Sequence, residues 1–337
     1  MTIVIVSLNG VDNSGGLERV SFYLKEILEK QYAVKIISRM CFSFGKLDLV
    51  LQPFFIALRL FFIRNKFVIS NSWNSFFYPA DLSIHHGTSA GMLYSIPELR
   101  SISTRLLAFM EKESSRTAKK IIAVSQSAKE EITKYYKADA KKIIVLNNFV
   151  DENIFFPSNE HDESKTTILF CGRLEIRKGV DILKKLSDYI ETIDGYALYI
   201  ACNNSENINL FKGNKNTKIH AGVKLKDMCA FYNSGDILFF PTRYEGFSMS
   251  TLEALSCGIP VLGTSEAVKD NLADYNFIQI VDCTELDDTA TIIQKISLLV
   301  TKWRNKKNKI HQTVVKDFGY LQYEDKILKL IQEKYNV

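Results

Sequence analysis

The chain has 337 residues, of which 46% are hydrophobic and 24% are charged. This length exceeds what one ordinary core accommodates, so a soluble globular protein with two domains of roughly 150 residues each is expected. The six cysteines form no CxxC pair and no metal-ligand spacing, which argues against a cysteine-based metal site and predicts reduced cytosolic thiols.

Charge is distributed unevenly along the chain. Residues 1–150 hold 20 Lys and Arg against 12 Asp and Glu, whereas residues 151–337 hold 23 against 26. A basic first half favours an anionic partner there, either a membrane surface or a phosphate-bearing acceptor. Scattered solvated lysines explain the same numbers equally well.

Strand-like runs alternate with helical runs along nearly the whole chain. The predicted strands are 2–8, 33–38, 67–70, 82–85, 120–124, 143–146, 167–171, 196–201, 217–220, 236–240, 259–262 and 277–281. The predicted helices are 17–30, 103–116, 126–136, 179–191, 225–233, 249–256, 288–304 and 321–335. This alternation predicts parallel sheets with helices on both faces. The first strand is not preceded by the basic region and long apolar stretch of a signal peptide.

Residues 47–69 are the segment most easily mistaken for a transmembrane helix. Arg59, Arg64 and Lys66 interrupt the segment, and its uninterrupted apolar stretch falls well short of the ~20 residues that span a bilayer. A core helix followed by a strand is favoured over a helix that lies on a membrane.

The alternation pauses once, in the polar, proline-containing stretch 147–164. The predicted organisation is a first Rossmann-like domain (1–148), a linker (149–164), a nucleotide-sugar-binding Rossmann-like domain (165–305) and a final helical segment (306–337) that crosses back to the first domain. Ligands of such doubly wound domains bind at the carboxyl ends of the strands.

Three earlier segments and one later block carry candidate chemistry. Gly15 and Gly16 follow the first strand, and Arg173 and Lys178 follow the strand 167–171 and could grip one diphosphate. The alternatives are a plain turn and a solvated basic turn. His85 and His86 close a strand without a neighbouring acid or cysteine cluster, so a metal site is not expected there.

The later block runs from Thr242 to Val261 and holds two carboxylates, Glu245 and Glu253, around a loop of small residues. A helix begins in this loop, and its exposed N–H groups favour an anion between the two acids. A nucleotide-sugar has that chemistry. Alternatively, Ser250 and Glu253 form a capping box, and Gly246 is only a turn residue.

Together these segments resemble the retaining glycosyltransferases of family 4 (glycosyl transferases group 1). The resemblance keeps the motif order over nearly the whole chain. It also includes the segments 123–130, 148–155 and 220–223. It implies the GT-B fold: an α/β protein with two doubly wound Rossmann-like domains that face a central cleft.

The resemblance implies roles for individual residues. Arg173 and Lys178 would hold the donor diphosphate, Glu253 would bind the ribose, and backbone around Val223 would face the base. Glu245, near the reaction centre, and His86, rather than His85, form the predicted catalytic pair. The predicted donor-binding residues are Gly15, Gly16, Arg173, Lys178, Val223, Gly246, Phe247, Ser248, Met249, Ser250 and Glu253. Ser248 stands where glycine is commoner in the family, which is expected to alter the fit to the donor sugar.

The predicted function is transfer of a hexose or N-acetylhexosamine with retention, from a nucleotide-sugar to a glycan or a polyprenyl-diphosphate-linked glycan. Surface polysaccharide synthesis (O-antigen, capsule or lipopolysaccharide) at the cytoplasmic face of a bacterial membrane is the expected setting, with peripheral contact to anionic lipid. No metal and no cofactor are expected, in keeping with the lack of an Asp-x-Asp motif. Lys302–Lys309 is read as a solvated face or an interdomain tie, not a nucleic-acid site. The alternatives are a nucleotide-sugar epimerase of the same fold and a non-catalytic sugar-binding subunit.

Overall fold

The computed structural model describes residues 2–10, 16–41, 43, 45–158, 164–203 and 206–335. Contacts between Cα atoms divide the chain into two compact units. Unit 1 comprises residues 1–148 and 324–337, and unit 2 comprises residues 149–323. In the described part of the chain, each unit is built on one six-stranded parallel sheet.

The sheet of unit 1 has the order β2-β1-β3-β4-β5-β6. Its strands are β1 (Thr2–Val6), β2 (Ala33–Ile37), β3 (Lys66–Asn71), β4 (Leu82–His85), β5 (Lys120–Ala123) and β6 (Ile143–Val145). Its helices include α1 (Gly16–Glu29), α2 (Asp48–Phe61), α3 (Ser89–Ser95), α4 (Ile102–Thr117) and α5 (Gln126–Tyr136). The central strand β1 is a continuous apolar run with residues 3–6 buried, as expected for a parallel strand covered on both faces.

The sheet of unit 2 has the order β12-β11-β10-β7-β8-β9. Its strands are β7 (Thr166–Cys171), β8 (Tyr196–Cys202), β9 (Thr217–Ala221), β10 (Ile237–Phe240), β11 (Val261–Gly263) and β12 (Ile278–Ile280). The helices that follow Asn148 are α6 (Val180–Ile190), α7 (Leu225–Asn233), α8 (Met249–Ser256), α9 (Thr289–Trp303), α10 (Lys307–Phe318) and α11 (Tyr320–Tyr335). Every predicted strand and every predicted helix is confirmed, with ends that differ by at most two residues in the described chain.

Two helices were missing from the prediction. α3 has only seven residues and is capped by Thr88, whose side chain accepts from the Gly91 N–H; so short a helix gives little periodic signal. α10 follows a kink at Asn305 and buries Ile310, Val314 and Phe318. Because the first turn of α10 is polar, this four-residue apolar spacing is not evident in the sequence.

The predicted linker and the predicted final segment are each assigned to the compact units described above. Of the predicted linker, residues 149–158 and 164 are described and belong to unit 2, where Phe149 and Phe155 are buried. Of residues 306–337, α10 belongs to unit 2, whereas residues from Glu324 onward belong to unit 1. The domain limits given above stay predictions.

α2 occupies the apolar segment 47–69. One face of this helix buries Gln52, Pro53, Ile56 and Leu60, as expected for a core helix. The opposite face leaves Phe54, Leu58 and Phe61 exposed. Among the described residues, the structure contains no helix with both the length and the apolar character needed to span a bilayer.

Candidate active site

The loops that follow β7 and β10 lie side by side at the carboxyl edge of the unit 2 sheet. The two strands are parallel neighbours, with Ile168 paired to Ile237. The first loop carries Lys178 and the second carries Glu245. Because α/β proteins bind ligands at this edge of the sheet, the two side chains meet where a ligand site is expected.

Lys178 and Glu245 form a largely buried ion pair. The Lys178 ammonium donates to Glu245 Oε1, and the two side chains are 14% and 13% exposed. The ammonium also lies 4.8 Å from the centroid of the Phe240 ring, within cation–π range. Thr242 Oγ1 donates to Glu245 Oε1 over 3.4 Å. The carboxylate is therefore held in one place beside a positive charge.

Arg177 is a second cation at this carboxylate and was not among the predicted site residues. Its Nη1 lies 3.7 Å from Glu245 Oε1 and donates to the Tyr244 carbonyl oxygen at 3.1 Å. Its Nε donates to Glu175 Oε1 at 3.0 Å. Its direct attachment to Lys178 in the sequence was the signal that could have identified it. A guanidinium fixed on several sides is suited to binding phosphate oxygens.

Arg173 lies outside this cluster in the described structure. Its side chain is 67% exposed, and its Nε is 3.9 Å from Glu175 Oε1. The structure therefore brings Lys178 to Glu245 and leaves Arg173 extended at the start of the same loop. In this cluster, the cations Arg173, Arg177 and Lys178 outnumber the carboxylates of Glu175 and Glu245.

The turn from Lys178 into α6 requires glycine at position 179. Gly179 has a φ of +82°, and a Cβ there would lie 2.4 Å from the Pro241 carbonyl oxygen. The Arg243 N–H donates to the Arg177 carbonyl oxygen at 2.8 Å. The two loops thus touch backbone to backbone, which fixes the position from which the Lys178 side chain extends.

Ser248 is the N-cap of α8, and its Oγ accepts from the Thr251 N–H at 3.1 Å. The suggested capping box of Ser250 and Glu253 is therefore wrong, because Ser250 already lies inside the helix. Ser248 acts as the N-cap and is 3% exposed. A serine here stabilises the start of α8 in a way that glycine does less well.

The loop before α8 is buried. Gly246 and Phe247 are both buried, and the Phe247 ring lies 5.7 Å from that of Phe318 in α10. Met249 and Ser250, in the first turn of α8, are half-buried. The predicted donor-binding loop therefore packs against the interior of unit 2, and its backbone is held close to the end of β10.

Glu253 lies inside unit 2 and not on its surface. Its side chain is buried and Oε2 accepts from the Tyr232 hydroxyl at 2.9 Å. Burial raises the pKa of Tyr232 well above its usual range, and the neighbouring Cys171 and Glu253 raise it further. Tyr232 is therefore a neutral donor that orients this carboxylate, a partner that the sequence analysis did not identify.

Val223 lies at the same edge of the sheet, after the edge strand β9. With Gly222, which has a φ of +68°, Val223 lines a groove on α7 together with His220 and Phe231. The order of the strands places β9 two strands away from β7. The predicted base-facing segment and the Lys178 loop therefore share one edge of one sheet.

In unit 1, the two adjacent histidines have different surroundings. His85 is fully buried, and its Nε2 lies 3.2 Å from both Ser83 Oγ and Ser115 Oγ. His86 Nε2 is buried without a hydrogen-bond partner among the described residues. Burial lowers the pKa of His85 to about 3 and that of His86 to about 4. Both are neutral at pH 7, and His86 is the one with an unused polar atom.

Of the predicted glycine loop, Gly16 is the first residue of α1, whereas Gly15 lies outside the described residues. Nearby, Asn9 Nδ2 donates to Glu18 Oε1 at 2.7 Å, which ties the end of β1 to the first turn of α1. The functions assigned to these residues stay predictions.

Two models of known protein families match the chain. Residues 151–311 match the model for glycosyl transferases group 1, and residues 68–154 match the model for glycosyltransferase family 4. The chain belongs to this glycosyltransferase family. The first match contains the Lys178 and Glu245 loops, and the second contains His86.

Curated relatives of this glycosyltransferase family member are distant. The chain is 26% identical over 222 residues to a subunit of the human phosphatidylinositol N-acetylglucosaminyltransferase, covering 61% of this chain and 45% of the relative. It is 26% identical over 162 residues to the O-antigen chain mannosyltransferase RfbU of Salmonella typhimurium, covering 46% of this chain and 44% of the relative. The matches thus span about half the length of these relatives or less.

Solved structures resemble this chain over its whole length. Sucrose-phosphate synthase from Thermosynechococcus elongatus is 15% identical with a TM-score of 0.81, covering 99% of both chains. Anabaena Alr3699/HepE in complex with UDP-glucose is 15% identical with a TM-score of 0.68, covering 99% of this chain and 100% of the other. These likenesses and the two parallel sheets establish the predicted GT-B fold.

Proposed function

We propose that this protein is a retaining glycosyltransferase that moves a hexose or N-acetylhexosamine from a nucleotide-sugar to a glycan or a polyprenyl-diphosphate-linked glycan. One observation carries the proposal: a fixed carboxylate, Glu245, held by Lys178 and Arg177 at the carboxyl edge of a doubly wound sheet. Family membership and the UDP-glucose complex of HepE support a nucleotide-sugar donor. The name of RfbU, an O-antigen chain mannosyltransferase, supports a role in surface polysaccharide synthesis, for which we place the enzyme at a membrane.

In this proposal the cations stabilise the leaving group. As the bond between the anomeric carbon and the diphosphate breaks, negative charge grows on the phosphate oxygens. Lys178 and Arg177 supply fixed positive charge there, and the exposed Arg173 adds a mobile one, without a metal ion. The acceptor hydroxyl forms the new bond on the face that the diphosphate leaves and gives its proton to the departing phosphate oxygen, so the anomeric configuration is kept.

The remaining residues bind and orient. Glu245, placed by its two cations, contacts the transferred sugar, and Glu253, oriented by Tyr232, accepts from the ribose hydroxyls. Backbone groups of Gly15, Gly16 and the loop 246–250 hold the diphosphate, and backbone around Val223 faces the base. His86 adds a neutral imidazole, and the support for its role is its buried Nε2, which has no hydrogen-bond partner among the residues that the structure describes.

The test is a thermal-shift screen followed by turnover. The protein is mixed in EDTA with UDP-, GDP-, ADP- and CMP-linked sugars, because a ligand that binds the native state raises the melting temperature by mass action. Transfer is then measured with the responding donor, and the anomeric configuration of the product is read by NMR. No response from any donor, or an inverted product, would refute the proposal.

Two variants examine the site itself. Lys178→Ala and Glu245→Gln should each lower turnover by about 100-fold or more, the cost of removing charge stabilisation from a transition state, while far-UV CD stays unchanged. Lys184→Ala is the matched control, because Lys184 lies on α6 in the same unit and pairs with Asp188 one turn away. Equal turnover in Lys178→Ala and Lys184→Ala would remove Lys178 from the mechanism.

A further inference from the structure

The outward face of α2 carries a stripe of exposed apolar side chains. Phe54, Leu58, Phe61 and Phe62 follow one another at helical spacing and are 49%, 48%, 74% and 75% exposed. The opposite face of the same helix is packed into the core of unit 1. About half or more of the surface of each of these side chains is therefore not buried in unit 1.

A second stripe runs along α4. Ile102, Leu106 and Phe109 have the same four- and three-residue spacing, and they are 89%, 36% and 53% exposed. Met110, one residue further, is buried. α4 thus repeats the arrangement of α2, with one face in the core and an apolar stripe outside.

Phe76 and Phe77, beside the short turn Ser72–Ser75, join the two stripes. The Phe77 ring lies 6.0 Å from Phe54 on α2 and 4.7 Å from Phe76, and Phe76 lies 6.2 Å from Phe109 on α4. The exposed residues Phe54, Leu58, Phe61, Phe62, Phe77, Ile102, Leu106 and Phe109, with the half-buried Phe76 that connects them, are called the aromatic face below. A contiguous exposed apolar surface of this kind marks an interaction site.

The charges beside the aromatic face are mostly positive. Arg59 and Arg64 are exposed at the end of α2, and Arg105 is exposed between Ile102 and Phe109 on α4. Arg59 Nη1 donates only to a backbone oxygen, that of Ser38, so its charge is not neutralised in the described contacts.

The carboxylates on these helices are engaged elsewhere. Asp48 accepts from Ser43 at the far end of α2. Glu111 is buried, where it accepts from the backbone N–H and the hydroxyl of Ser89 at 2.8 Å. Glu113 pairs with Arg116, 3.2 Å away. The rim of the aromatic face therefore has an excess of arginine.

We infer that the aromatic face docks on an anionic phospholipid surface. Phenylalanine side chains enter the boundary between headgroups and acyl chains, while arginines on the rim bind lipid phosphates. This inference rests on the proposed function, which gives the enzyme a reason to be at a membrane. The aromatic face is the surface by which the enzyme would meet the bilayer that holds its acceptor. The binding itself needs neither donor nor turnover.

The test is co-sedimentation with vesicles of phosphatidylcholine alone and of phosphatidylcholine mixed with phosphatidylglycerol, without sugar donor. Wild type should bind the anionic vesicles at least tenfold more tightly, and salt should weaken the binding. Phe61→Ser/Phe62→Ser should reduce it at least tenfold, and Arg59→Gln/Arg64→Gln should lower the anionic preference roughly fivefold per arginine. Phe156→Ser/Leu298→Ser is the matched control, since these unit 2 side chains are 50% and 63% exposed.

Three results would overturn the inference: no binding to anionic vesicles, equal loss in the control variant, or light scattering that shows a dimer abolished by Phe61→Ser/Phe62→Ser without lipid binding. Lys178→Ala should bind vesicles as wild type does. If the wild-type protein transfers sugar to a soluble acceptor but does not bind vesicles, only this inference is overturned. Vesicle binding without transfer would instead count against the proposed function.

Discussion

Replacing Gly179 by alanine should destabilise unit 2 and displace the Lys178 loop. The new Cβ would lie 2.4 Å from the Pro241 carbonyl oxygen at a φ of +82°. An alanine in this conformation costs about 1–2 kcal/mol, and each backbone hydrogen bond broken as the loops separate adds about 1 kcal/mol. We therefore expect a loss of about 2–4 kcal/mol in the free energy of unfolding.

Gly195→Ala is the matched control. Gly195 has a φ of +85°, but a Cβ there would meet no atom within 4 Å. This variant should lose only the conformational part, about 1–2 kcal/mol. The difference between the two variants isolates the contact with Pro241.

The assay uses tryptophan fluorescence during unfolding in urea. The chain has two tryptophans, and Trp303 is buried in unit 2. In a Trp73→Phe background, the fluorescence change therefore reports on unit 2 alone. Equal losses for Gly179→Ala and Gly195→Ala would refute the reasoning, since they would mean that the loops separate without cost.

Two further predictions concern titratable groups. Between pH 7.5 and pH 5, the protein should lose about 2 kcal/mol of stability for each of His85 and His86, because their folded pKa values of about 3 and about 4 lie below the unfolded value of 6.5. This stability is present above pH 6.5 and is lost as pH falls toward the folded values; His86→Gln should remove about half of the loss, and urea titrations with an unchanged pH dependence would contradict this. Iodoacetamide should alkylate Cys229 at neutral pH, because the Cys257 thiol, 3.9 Å away, donates toward its sulfur and lowers the pKa of Cys229 to about 6. Mass spectrometry should show a rate that levels off above pH 7, with exposed Cys283 as the internal reference; a rate still rising steeply at pH 8.5 would contradict the prediction.

The sheets could be predicted because their strands are short apolar runs bounded by polar residues. β10, for example, is the run 237–240 between Asp236 and Pro241. α3 could not, because a seven-residue helix is specified by one cap and its packing. The local sequence pattern therefore predicts a strand or helix that buries a whole face, and it fails to predict a helix whose formation depends on tertiary contacts.

The candidate site, too, could be predicted only in part from the sequence. Lys178 and Glu245 are 67 positions apart, yet the sequence indicated both, since each follows a strand that ends at the same sheet edge. Tyr232 lies on α7, and its hydrogen bond to Glu253 depends on how α7 packs against α8. Nothing in the order of residues marks that contact. The role of Ser248 as the N-cap also emerged only from the geometry of the backbone.

The assignment of residues from Glu324 onward to unit 1 has a consequence for how the protein is made. Lys30 Nζ donates to Glu324 Oε1, which lies 294 positions later in the chain, and Leu330 lines a groove with Phe67 of β3. Because synthesis proceeds from the N-terminus, unit 1 waits for the whole of unit 2 to be translated before α11 can supply its side of this groove. Until then the nascent first unit exposes apolar surface, and contacts closed at such a distance are slow to form. Unit 2, by contrast, is continuous in the chain and can fold as soon as it leaves the ribosome.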